Sequence, residues 1–272
     1  MTETATLDAL FTEVLGGSES PRPSELIATS VFWIQHGTRL AGSTTVYRNR
    51  YVLVRVGQSY GACAFETGEL DPEACSGASG SDLATLLRAA PLPLRVAALD
   101  AYLTETEHHR DRPDAEAVTL PAGTPEQRAR SRDEAIAGLL DVAPGSKVAL
   151  IGVVTPLVAA LRERGCACLP CDYNLDATAD GGLITSVMSE VLEPADAVVA
   201  TGMTLGNGTF DGILRHCGKR NVPLIVYAQS GSAVARAFLG SGVTALSAEP
   251  FPFSQFDSGT TTLYRYRAAH SS

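Results

Sequence analysis

The chain has 272 residues, 45% of them hydrophobic and 19% charged, so it can bury a sizeable core and has room for two modest domains. A formal net charge of -9 argues against a nucleic-acid or anionic-membrane surface, which needs a broad basic patch, and leaves small molecules or proteins as partners. No apolar run approaches the length of a membrane helix, and the opening MTETATLDALF lacks the charged and apolar regions of a signal peptide, so the sequence predicts a cytoplasmic protein.

Leu7, Leu10, Phe11, Val14 and Leu15 recur at helical spacing and Gly16-Gly17 ends the pattern. TSVFWIQH, RYVLVRVG and GACAFE then read as three antiparallel strands over about residues 29–66, with a tight turn at Asn49 between the first two. The Gly-, Ser- and acid-rich stretch 70–80 reads as loop. Helices follow at Leu83, Leu86 and Leu87, with Ser81 as cap, and at LRVAALDAYL from Leu94. Residues 1–107 thus form a smaller α+β domain, and the charged, proline-bearing 108–123 reads as a linker.

From residue 124 the grammar changes. Thr124-Pro125-Glu126-Gln127 is a capping-box start for a helix running to about Leu140. Five apolar strands follow, KVALIGV, CACLPCD, DAVVAT, PLIVYA and VTALSA, alternating with helices at TPLVAALRERG (Thr155 as cap), GLITSVMSEVL, a stretch burying Phe210, Ile213, Leu214 and Cys217, and SAVARAFLGSG. Fully apolar strands between helices mean a parallel sheet covered on both faces, so residues 124–272 read as a Rossmann-like, doubly wound α/β domain.

Four loops share the carboxyl edge of this sheet, where backbone N–H groups converge on ligands. After Gly152 the chain lacks the further glycines of a dinucleotide fingerprint. Asp172 closes the second strand, where a carboxylate grips a ribose hydroxyl in adenosine binders; an Asp capping a turn fits equally. TGMTLGNGT contributes Thr201, Gly202, Thr204, Asn207 and Thr209, neutral groups suited to orienting a ligand, and Gln229 and Ser230 repeat the theme one strand later. On an extended strand Cys166 and Cys168 face one side and Cys171 the other, which favours buried thiols over a metal site. In the first domain the polar stretch 35–44 offers His36, a general acid or base or a half-buried strand-end histidine, and Arg39. Tyr47, Arg48, Arg50 and Arg55 form a local basic cluster, suited to a carboxylate or phosphate or to a solvated hairpin tip.

TGMTLGNGTFDGIL after a strand that begins at Asp196, together with the QSGSA turn, resembles the DUF364 family, named for heavy-metal chelation. GASGSDLATLLRAAPLPLRVAALDAYL is similar to its N-terminal partner, DUF4213, although Asp100 stands where that pattern has Asn. The resemblance implies an enolase-N-terminal-like first domain, a Rossmann-like second and a pocket between them, with the family motif on Thr201, Gly202, Thr204, Asn207 and Thr209 and an acidic position at Asp172. Three readings follow: a protein handling a small molecule or metal chelate, an enzyme using S-adenosylmethionine or another adenosine-containing cofactor with His36 or Tyr47 moving a proton, and a non-catalytic scaffold. No metal ligand set is legible, and a homodimer is the default assembly.

Overall fold

The computed structural model describes residues 6–18, 20–38, 47–178 and 180–269, with the backbone alone at Thr38 and Tyr47. Two sheets organise it. The smaller is an antiparallel meander of β1 (Ser30–Thr38), β2 (Tyr47–Val56) and β3 (Ser59–Phe65). Side chains alternate across β2: Val52, Val54 and Val56 enter the main core, while Tyr51 and Leu53 enter a second cluster with Phe253. Both faces of this strand are therefore covered. Asn49 pairs with His36 inside the ladder, so the turn expected there is instead strand, as are Gln35, His36 and Gly37. The link between β1 and β2, with Arg39, lies outside the described residues.

Helices α1 (Leu7–Gly16), α2 (Glu73–Ala78), α3 (Leu83–Ala89) and α4 (Leu92–Thr106) join the core on the Val52 and Val54 face of the meander. Stretch 70–80 thus holds a short helix rather than loop alone, and α3 is capped by Asp82, which accepts from the Thr85 N–H at 3.0 Å, one residue after the expected Ser81. Helix α4 packs on β2 and β3 and touches helices of the second half. Its approach to β3 is close because position 61 is glycine: a Cβ there would lie 2.0 Å from the Ala101 nitrogen. Asp100 fastens the joint, accepting from the Ala62 N–H at 2.9 Å and the Ala233 N–H at 2.8 Å.

The larger sheet runs β4 (Glu116–Leu120), β10 (Thr261–Arg267), β9 (Ala245–Ala248), β8 (Leu224–Ala228), β7 (Ala197–Thr201), β5 (Lys147–Ile151) and β6 (Ala167–Cys171). The last five are parallel in the order of a doubly wound sheet, with the connection reversing direction between β5 and β7. Val148, Leu150, Ala197 and Val199 bury on one face; Ala149, Ile151, Val198 and Ala200 bury on the other. That is the two-sided burial expected of continuous apolar strands. Helices α5 (Pro125–Ala137), α6 (Thr155–Glu163), α7 (Met188–Leu192), α8 (Met203–Gly206), α9 (Phe210–Arg220) and α10 (Ser232–Ala237) complete the fold.

Three local expectations are corrected. Thr155 is the first residue of α6 rather than its cap. The helix expected from Gly182 is confined to α7, because Thr185 bridges in parallel to Cys171 and Leu183 is 87% exposed. Residues 108–123, read as a linker, supply edge strand β4, whose Leu120 packs with Leu263 and Ala135.

The same stretch buries His109. Its Nδ1 pairs with the Tyr266 hydroxyl at 2.7 Å and its Nε2 with the Ser232 hydroxyl at 3.2 Å. Burial, reinforced by the charges of Arg236 and Arg112, pushes its pKa down to about 3. The unfolded chain binds a proton near 6.5 that the folded chain refuses, so this part of the stability is fully present above 6.5 and is lost as pH falls toward 3. Asp100 acts with opposite sign: burial raises its carboxyl to about 6, so its part is present below 3.8 and lost as pH rises through 6. Denaturation midpoints between pH 7 and 4 are expected to fall with acid in the wild type. The fall steepens in Asp100→Asn, which lacks the opposing group, and flattens in His109→Asn.

Candidate functional site

A cleft of about 1320 Å³ opens between the meander and the larger sheet. Each of the five parallel strands sends its carboxyl end, or the loop after it, to the lining; β1, β2, the segment after β3, helix α5 and residues 254–258 supply most of the rest. The reversal between β5 and β7 explains the place, since their following loops diverge to opposite faces and leave a crevice.

The β7 loop forms the centre of the wall. A Cβ at Gly202 would lie 2.4 Å from the Ser230 carbonyl oxygen, so glycine alone allows the β7 and β8 loops to touch. Thr204 is 1% exposed and donates its hydroxyl to the Thr201 carbonyl at 2.7 Å, which commits it to shaping the loop. Asn207 accepts through Oδ1 from the Thr209 N–H at 3.1 Å and hydroxyl at 2.7 Å. Its Nδ2 donors keep no partner among the described residues. Gln229 donates through Nε2 to Glu249 at 2.9 Å and Gln255 at 2.7 Å.

Asp172 lines the cleft, with Oδ2 accepting from the Val153 N–H at 2.8 Å and Oδ1 from the Asn174 N–H at 2.8 Å. It ties the β5 and β6 loops together as a turn-capping carboxylate does. Asn174 in turn donates to Glu66 at 3.1 Å, joining the β6 loop to the meander. Burial raises the Glu66 carboxyl above its ordinary range.

From the meander, His36 faces the cleft with its ring 5.2 Å from that of Phe256, edge on. Burial lowers its pKa below 6.5, which keeps the imidazole neutral near pH 7. The basic cluster disperses. Arg48 is exposed on the lining, Arg50 donates to Gln35 at 3.0 Å and Thr67 at 2.7 Å, and Arg55 leaves the cleft to lie 5.8 Å over the Tyr60 ring. His36, Arg48, Asp172, Thr201, Gly202, Thr204, Asn207, Thr209, Gln229 and Ser230 thus share one cleft. The Tyr47 side chain and Arg39 lie outside the described residues.

Sequence reasoning missed Arg128, Arg132, Tyr227, Ser247 and Glu249, which also line it. Tyr227 donates to the Gly152 carbonyl at 2.6 Å, and burial raises its phenol well above the ordinary range. The arginines sit in a run, RARSRD, that reads as a solvated helix face. Only the repeat of Arg128 and Arg132 four residues apart hinted that they share a side.

Metal chemistry finds no donor set here. Among the described residues no three His, Cys, Asp or Glu side chains gather to hold an ion. Cys166 and Cys168 lie in one core cluster and Cys171 in the other, across the sheet. Burial pushes the Cys168 and Cys171 thiols up to about 11, and a thiol must lose its proton to ligate.

Fold and cleft define a two-sheet α/β protein with a crevice at the turning point of a doubly wound sheet. Residues 134–248 match the DUF364 family, whose description reads "Putative heavy-metal chelation". The fold is shared with a DUF364-family protein of unknown function from Desulfitobacterium hafniense, 14% identical, with a TM-score of 0.61 over 95% of this chain and 97% of that one. A second, from Pyrococcus horikoshii, is 18% identical with a TM-score of 0.52 over 78% and 79%. No curated protein matches the chain. No helix among the described residues is long and apolar enough to cross a membrane.

Proposed function

We propose that this protein binds a small molecule in the cleft, held between the 201–209 loop and the meander. The observation that carries the reading is convergence: polar groups chosen from separate loops and from both halves of the chain line one crevice. Such a crevice, largely preformed and lined by a few directed polar groups, is what small-molecule sites share. The family description points toward heavy metal, whereas among the described residues no chelating set gathers. We therefore read any metal as arriving within the ligand's own chelate. An adenosine cofactor gripped by Asp172 has less support, because the loop after Gly152 lacks the further glycines that let backbone approach a pyrophosphate, and Asp172 already serves as a turn cap. For proton transfer the cleft offers His36 as a neutral base, and Tyr47 is a second candidate.

A thermal-shift screen tests this, because a ligand of the folded state raises the melting temperature by mass action. Zinc, nickel, copper and cobalt salts alone, and S-adenosylmethionine, are expected to leave it unchanged. Hits from a small-molecule library raise it in the wild type and lose most of the shift in the double variant Asn207→Ala, Gln229→Ala. Hits that stabilise that variant as strongly as the wild type contradict the site.

A further inference from the structure

We propose that the α5 wall of the cleft receives an anionic group of the ligand, a carboxylate or a phosphate, on the guanidinium of Arg132 and the hydroxyl of Ser247. The inference rests on the cleft being the binding site and adds the chemistry of what it holds.

Arg132 donates through Nε to Asp133 at 2.9 Å, and its side chain is 18% exposed. Of its five N–H donors, that bond uses one. The Nη donors have no acceptor among the described residues, and the residue lines the cleft. The nearby acids do not fill them. Glu249 accepts from the Gln229 amide and the Ser254 N–H, Asp133 accepts at the Nε side, and neither acid bonds the Nη atoms.

Ser247 is an independent sign. It is 3% exposed, lines the cleft, and its hydroxyl has no partner among the described residues. It lies beside Tyr227 in the β8–β9 ladder, and Tyr227 interacts electrostatically with Arg132. Its oxygen opens onto the cleft rather than being sealed in the core, so it is free to meet a partner from solvent or ligand.

Arg128, one turn before Arg132, completes the wall. It is 4% exposed and binds neutral groups alone: the carbonyls of Pro121, Gly259 and Ser254 and the Thr261 hydroxyl. Its Nε is buried without a partner. A buried guanidinium facing no carboxylate of its own leaves positive charge behind the Arg132 fork, where it favours an anion. The planar fork matches two oxygens of a carboxylate or phosphate, and the Ser247 hydroxyl on the same lining offers a further donor.

Inorganic phosphate and malonate are the probes, titrated calorimetrically into the full chain. At least one binds the wild type, and the one that binds names the anion class. Arg132→Gln weakens that probe by about tenfold or more, and Arg132→Lys, which keeps the charge and loses the fork, falls between. Ser247→Ala weakens it less. A crystal structure of the wild type with the probe places it on the Arg132 Nη atoms, a readout independent of whether the variants fold. Equal binding by Arg132→Gln, an anion seated elsewhere, or no binding of either probe overturns the proposal. Neutral library hits that still occupy the cleft would then leave the binding-site reading standing; their failure as well would end both.

Discussion

Asp100→Ala is expected to cost about 3–5 kcal/mol of stability, among the largest effects of a single substitution in this chain. Asp100 is 3% exposed and carries two buried N–H groups, one from β3 in the meander and one from the start of α10 under the larger sheet. Alanine strands both donors in the core, and each orphaned group costs roughly 1–3 kcal/mol. Asn keeps the shape and one acceptor but turns an amide NH2 toward an N–H, so Asp100→Asn is expected to lose about half as much. Chemical denaturation reads both, and an alanine variant within about 1 kcal/mol of the wild type would show that the two halves are joined by apolar packing alone.

The second large effect is at Gly61. A Cβ there would meet the Ala101 nitrogen at 2.0 Å and the Ala97 oxygen at 2.2 Å, both backbone atoms of α4 that no rotamer change can move. Gly61→Ala therefore forces α4 off β3 and costs about 3 kcal/mol, at the upper end of overpacking effects. Gly212 on α9 is the control, because its Cβ would meet nothing within 4 Å. There the change to Ala removes unfolded-state freedom and stabilises by about 1 kcal/mol. Opposite signs for one chemical change separate close approach from helix propensity; equal signs would refute the packing described for α4.

How far the sequence speaks depends on which physics a residue reports. The strands β5, β7 and β8 are legible because burial on both faces demands unbroken apolar runs, and the 201–209 loop because glycines and hydroxyls interrupt such a run. Strand β10, TTLYRYR, went unread since its arginines serve neighbours that only the fold provides. Arg265 pairs with Glu116, and Arg267 donates to the Leu139 carbonyl at 2.9 Å. Asn49 carries a turn signal that the long β1–β2 ladder overrides. In the cleft, Asn207 and Gln229 could be named from their loops. Arg132 and Ser247 could not, because a polar residue buried by tertiary packing looks in sequence like an exposed one.

The most direct measurement is a crystal structure of the protein with a small molecule that raises its melting temperature. The account predicts that molecule between the 201–209 loop and the meander, within hydrogen-bond reach of Asn207 or Gln229. A molecule that stabilises the protein from a position outside the cleft would contradict it.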